Sequence, residues 1–289
     1  MDLKRTYNRF TTLLELMRIR NALIALLGVF VGAIIYAPDT PLGPVLIAGF
    51  SASLILSGGN MLNDYFDIES DKTNKPWRPI PSGRITKSDA LMLGIAFFMI
   101  GIGISKAVNK YCLMIALVNT IILVVYARYS KSMLLVSNIS ISYLVASVFI
   151  YGALSTIVGG VFSVYSNFFL TVVVACSFLM TWAREIIKDI EDIEGDNKVY
   201  ARSLPIVFGE KKSKVFATAM GVIAVLISLT PIFPQMPDFN TLPYLVVISL
   251  ADLMFIASFT MHPALAQRTM VGGMTLSLIA FLSAKLISI

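Results

Sequence analysis

The chain has 289 residues, of which 57% are hydrophobic and only 14% charged, with a mean hydropathy of +0.80 and a formal net charge of +6. Soluble domains carry about a quarter charged residues, so this composition excludes an ordinary soluble fold and indicates a membrane protein. A single histidine, His262, and two cysteines, Cys112 and Cys176, inside apolar segments and without CxxC spacing, argue against a histidine triad, a zinc centre or a disulfide framework.

Apolar stretches long enough to cross a hydrocarbon core, about 20 residues each, fall at 20–37, 42–62, 88–107, 111–127, 134–152, 168–187, 213–232, 241–259 and 269–288. The second follows the first almost at once and no small-residue cleavage site stands between them, so the first reads as a retained span rather than a signal sequence. Helices satisfy their own backbone hydrogen bonds in lipid, and the short alternating strands of a β-barrel are absent. The expectation is therefore an all-α integral membrane protein, about nine transmembrane helices forming one domain over residues 1–289. With the N-terminus placed in the cytoplasm, all of the 23 basic residues except Lys106, Lys110 and Lys285 fall on the cytoplasmic side, as the distribution of lysine and arginine in membrane proteins requires. Such a one-sided charge suits anionic lipids or anionic ligands, although topology alone also produces it.

After the second span the chain reads "NDYFDIESD" and then "RPIPSGRI"; after the sixth it reads "DIEDIEGD" and then "RSLPIVFG". Asp64, Asp67 and Asp71 recur as Asp189, Asp192 and Asp196 at a constant offset of 125 residues, and Asn60 recurs as Glu185. Each cluster closes the second helix of a four-helix unit, which predicts two four-helix repeats plus one further helix, with a site at their interface. On a helix, positions i, i+3 and i+7 project within roughly 60° of one another, so each cluster presents a column of carboxylates. Like charges so close repel and demand a cation among them. Oxygen donors without histidine or thiolate select a hard cation such as magnesium, which commonly shares its shell with phosphate oxygens. Lys75, Arg78, Arg84, Lys188, Lys198 and Arg202, interleaved in the same loops, suit a diphosphate.

These two motifs, in this order, resemble the aspartate-rich motifs of the UbiA-type intramembrane prenyltransferases, and nine helices with motifs after the second and sixth resemble that family's layout over nearly the whole chain. The resemblance implies Mg2+ and diphosphate binding by Asp64, Asp67, Asp71, Asp192 and Asp196, with Asn63 beside them and Asp189 joining by position. The stretch "YARYSKSMLLVSN" is similar to the family's segment after the fourth helix, and implies that Tyr126 and Lys131 lie near the prenyl diphosphate. Ser137 stands before Asn138 where relatives often have glycine, which bears on close packing there. The implied reaction is electrophilic alkylation: the allylic diphosphate ionises with its negative charge neutralised, and an acceptor attacks the allylic cation inside an apolar chamber.

The form of the second motif and the lack of an extra domain look most like the branch of the family that moves geranylgeranyl from geranylgeranyl diphosphate to a prenylated glycerol phosphate in archaeal ether-lipid synthesis. That acceptor carries its own phosphate, for which Arg18, Arg20, Arg128, Arg184 and Lys188 are candidate cations. Aromatic acceptors such as 4-hydroxybenzoate, or acceptors of the chlorophyll and haem side-chain systems, stay open. So does a cation-coupled transporter, against which the cytoplasmic position of the acids and the parallel repeat both weigh.

Overall fold

The computed structural model describes residues 3–129, 134–157, 167–193, 202–233 and 239–286, and among these the secondary structure is helical, with no strand. In chain order the helices are α1 (Leu3–Met17), α2 (Ile19–Tyr36), α3 (Leu42–Phe66), α4 (Ile68–Asn74), α5 (Lys87–Val108), α6 (Lys110–Tyr129), α7 (Val136–Ser155), α8 (Phe168–Glu191), α9 (Leu204–Phe208), α10 (Glu210–Ser228), α11 (Thr241–Ser258) and α12 (Pro263–Leu286). Nine of these, all but α1, α4 and α9, are long and apolar enough to cross a membrane. They match the nine stretches expected from hydropathy.

The boundaries shift where local chemistry outweighs hydropathy. The second and sixth spans continue as helix to Phe66 and Glu191, carrying the first acids of each cluster onto helix ends. The ninth begins at Pro263, a residue whose fixed φ suits a first helical turn. Thr86 starts α5 by accepting a hydrogen bond on its side chain from the Asp89 amide at 3.1 Å. Helix α1 is an addition, too polar to have been read as a span. Its Leu16 is fully buried against Met61, Ile80 and Ala90, and the Met17 carbonyl accepts from Asn60 Nδ2 at 3.1 Å and Ser57 Oγ at 3.3 Å.

Helices α2, α3, α5 and α6 pack in succession, as do α7, α8, α10 and α11, and α12 fills between α11, α8 and α2. The two units meet where α2 crosses α7. A Cβ built on Gly32 would lie 2.1 Å from the Phe149 carbonyl oxygen, and one on Gly152 would lie 1.9 Å from that of Val29. Only hydrogen fits there, the small-residue packing that lets membrane helices approach closely. Asn167, which begins α8 after the chain leaves α7, donates from Nδ2 to Ile35 O near the end of α2 at 3.1 Å, so α2 and α7 run in the same direction and the repeat is parallel.

Backbone conformation repeats as well. Among the described residues the non-glycine positions with positive φ are Arg18 (50°) and Leu135 (65°), each immediately before the first helix of a unit. The glycines with positive φ, Gly83 and Gly209, each precede the third helix.

Candidate active site

Helix α3 ends at Asp67, whose amide donates to the Asn63 carbonyl, and α8 ends at Asp192, whose amide donates to Lys188. These residues are 125 apart and share one conformation, φ −85° and ψ 2° against φ −88° and ψ 3°. The duplicated sequence thus yields duplicated helix ends.

At the first, Asp64 and Asp71 are buried, at 3% and 4% exposure. Isolated carboxylates would not tolerate this. Arg78 Nη1 donates to Asp64 Oδ1 at 3.1 Å and to Asp71 Oδ2 at 2.6 Å, and Arg18 Nη2 donates to the same Asp64 Oδ1 at 2.7 Å. The loop that delivers Arg78 is folded on itself: Pro79 O accepts from the Arg84 and Ile85 amides, and Ile80 is buried against α1 and α3. Asn63 Nδ2 donates to Asp67 Oδ2 at 2.8 Å, orienting that carboxylate.

At the second, Asn138 Nδ2 donates to Asp189 Oδ2 at 2.9 Å, and the Ser137 hydroxyl donates to Asn138 Oδ1 at 3.1 Å. The serine found in place of a glycine therefore orients the asparagine. Arg18 just before α2 and Asn138 in the first turn of α7 hold equivalent aspartates. Glu185, the repeat partner of Asn60, is buried between Arg184 Nη1 at 2.9 Å and Lys188 Nζ at 2.8 Å. Asp192 is exposed and opens on a groove of about 310 Å³ that Lys188, Glu191, Gln267 and Arg268 also line.

Two side chains join the halves. Tyr126 lies within electrostatic reach of Lys188 and Glu185 on one side and Asp67 and Arg18 on the other. Lys75 lies among Arg78, Asp71, Arg18 and Asp192. Although its surface is accessible, the protein atoms crowding its ammonium push its pKa below the ordinary lysine value; Arg78 adds to that shift, and Asp71 and Asp192 oppose it. The acid-tipped ends of α3 and α8 thus share one mouth.

The model of the UbiA prenyltransferase family matches residues 25–280. The chain belongs to that family. Digeranylgeranylglyceryl phosphate synthase from Methanopyrus kandleri is 38% identical over 277 residues, covering 94% of this chain and 98% of that protein. The enzyme of the same name from Methanosarcina mazei is 37% identical over 290 residues, covering 94% and 97%. A solved structure concerned with digeranylgeranylglyceryl phosphate synthase in membranes superposes with a TM-score of 0.78 at 33% identity, covering 95% and 98%. A UbiA homologue from Archaeoglobus fulgidus, solved with DMAPP and Mg2+, superposes with a TM-score of 0.71 at 17% identity, covering 94% and 98%, a likeness of fold.

Within this UbiA fold the structure gathers most of the expected residues and redirects others. Asp64, Asp67, Asp71, Asn63, Arg18, Arg78 and Tyr126 converge with Asp189, Asp192 and Lys188. Arg84 goes elsewhere: it bonds Trp77 O at 2.6 Å and Glu15 at 2.6 Å, tying the loop to α1. Arg20 is exposed on the first turn of α2, and Arg128 stacks over Phe66 and Tyr129. Asp196, Lys131 and Lys198 lie outside the described residues. The donors that meet are carboxylate oxygens, which suits a hard cation sharing its shell with phosphate. Among the described residues no three His, Cys, Asp or Glu side chains are close enough to ligate one ion by themselves; the Arg78 guanidinium bridges Asp64 and Asp71 instead.

Proposed function

We propose that this multi-pass membrane protein transfers a geranylgeranyl group from geranylgeranyl diphosphate to the free hydroxyl of geranylgeranylglyceryl phosphate, the second alkylation in archaeal ether-lipid synthesis. The observation that supports it best is the pair of acid-tipped helix ends sharing Lys75 and Tyr126, in a chain alike over nearly its whole length to synthases of that reaction. In this reading the N-terminus and the mouth face the cytoplasm, where the basic residues concentrate.

A divalent cation, Mg2+ by preference, would be held by Asp64, Asp67, Asp71, Asp192 and Asp196 and would draw negative charge from the diphosphate. Around it, Lys75, Arg78, Lys131 and Lys188 bind diphosphate oxygens, and Asn63 and Asn138 keep Asp67 and Asp189 oriented. Tyr126, in reach of both helix ends, positions the donor. The bond from the allylic carbon to oxygen breaks with its electron pair leaving on the diphosphate. The acceptor hydroxyl then bonds to the allylic carbon, and its proton passes to the released diphosphate. Arg20, exposed on the first turn of α2 two residues after Arg18, is the cation best free to take the acceptor's phosphate; Arg18 is engaged with Asp64.

The experiment is a radiolabel assay on purified protein with geranylgeranyl diphosphate and Mg2+, offering geranylgeranylglyceryl phosphate or 4-hydroxybenzoate. Transfer to the glyceryl phosphate, abolished by EDTA, is expected. Transfer to the aromatic acid alone would move the protein to quinone synthesis, and transfer to neither would overturn the proposal.

A further inference from the structure

Two guanidinium groups converge on one carboxylate oxygen, Asp64 Oδ1, and one of them also holds Asp71 Oδ2. Both carboxylates are buried, and one oxygen of each, Asp64 Oδ1 and Asp71 Oδ2, is taken by arginine. A guanidinium does not vacate its place by losing a proton, because it stays charged in proteins. It can leave only by moving to another anion. Both arginines are mounted where this is feasible. Arg78 sits in the loop between α4 and α5, and Arg18 occupies the left-handed conformation in the joint between α1 and α2, a geometry that non-glycine residues rarely adopt. Strain of this kind persists where surrounding contacts hold it, often at functional sites. At the second helix end the Asn138 amide donates to Asp189 Oδ2.

We infer that Arg18 and Arg78 form a counter-ion latch. They occupy the first carboxylate column until a diphosphate arrives, then turn onto its oxygens and free the carboxylates for the divalent cation. Tight cation capture is therefore conditional on the diphosphate, and the two ligands bind with positive coupling, which is necessarily reciprocal. The inference rests on the prenyl-transfer reading in taking the ligands to be a divalent cation and a diphosphate.

The test is Mn2+ binding to purified protein, followed by electron paramagnetic resonance at defined free Mn2+, with and without inorganic pyrophosphate. In the unaltered chain, pyrophosphate should raise Mn2+ affinity at least about tenfold, within the range usual for coupled sites. Arg78→Gln should bind Mn2+ alone several-fold more tightly and lose most of the enhancement by pyrophosphate. Arg18→Gln, which leaves Arg78 on both acids and so preserves the fold if Arg78→Gln does not, should shift in the same sense by less. A purely structural role for the arginines would weaken metal binding. Equal or weaker Mn2+ binding by both variants overturns the latch even where prenyl transfer by the unaltered chain is normal. No Mn2+ binding by any of them, with or without pyrophosphate, overturns the metal assignment and the latch together.

Discussion

Replacing Gly152 by alanine puts a methyl group where the structure leaves no room. Its Cβ would lie 1.9 Å from the Val29 carbonyl oxygen and 3.0 Å from the Ala33 nitrogen, both backbone atoms of α2. Carbon to oxygen contacts settle near 3.3 Å, so the helices must separate locally by roughly 1.4 Å. No flexible side chain can absorb that displacement. Overpacking of this kind costs about 1–3 kcal/mol, and two rigid backbones place Gly152→Ala near the upper limit. Gly103→Ala is the control: no atom lies within 4 Å of its Cβ, and alanine in a helix is favoured over glycine by up to about 1 kcal/mol. Thermal unfolding in one detergent should show Gly152→Ala melting several degrees below the parent and Gly103→Ala at or above it. Because α2 begins beside Arg18 and α7 carries Asn138, the same separation disturbs both aspartate clamps. A displacement of about 1 Å can cost a hundredfold in rate, so turnover should fall even where the protein stays folded. Equal melting of the two variants would refute the α2 to α7 contact as described.

Other outcomes follow from the site. Asp67→Ala and Asp192→Ala should each abolish transfer to below about 1% of the parent while leaving thermal unfolding close to it, since both are helix-terminal rather than core; near-normal turnover in either rejects them as metal and diphosphate residues. Lys75, with its pKa lowered, loses its charge before an ordinary lysine does. The KM for the diphosphate should therefore climb with pH below 10.5, while stability rises through that window because the unfolded chain keeps the proton longer; Lys75→Arg should remove the climb in KM, and an unaltered profile would exclude Lys75. Arg84→Ala breaks a half-exposed pair with Glu15 and should cost under about 1 kcal/mol with the donor KM within about twofold, so a large rise in KM would return Arg84 to the mouth. Arg20→Ala should raise the acceptor KM far more than the donor KM, and equal effects on both would reject its role with the acceptor phosphate.

Much of this architecture is legible in the sequence because the governing signals are strong and local. Length and hydropathy determine nine spans, and a constant offset of 125 residues places Asp67 and Asp192 on equivalent helix ends. What hydropathy could not show is α1, whose burial comes from tertiary contact of Leu16 with Met61 and Ile80. Nor could spacing separate Arg78 from Arg84. They lie six residues apart in a basic loop, and only the turn pinned by Ile80 sends one to the acids and the other to Glu15. Asn138 and Glu185 carried a faint signal, one as the polar start of an apolar helix, the other as the charged counterpart of Asn60. Asp252, inside the apolar stretch 241–259, is buried and bonded to Ser228 at 2.8 Å; a single acid does not register against fourteen hydrophobic neighbours in a hydropathy average.

The shared conformation of Asp67 and Asp192 has an electrostatic consequence of its own. Both helices end within the acid clusters, at Asp67 and Asp192, and a helix C-terminus carries about half a unit of negative charge from its aligned peptide dipoles. This charge belongs to the backbone. Exchanging every aspartate for asparagine would lower the cation affinity of the mouth without removing the backbone's share of it, and an anionic lipid precursor is met there by Lys75, Arg78 and Lys188. Duplication of a helix end thus set the polarity of the site, leaving the side chains to adjust its strength.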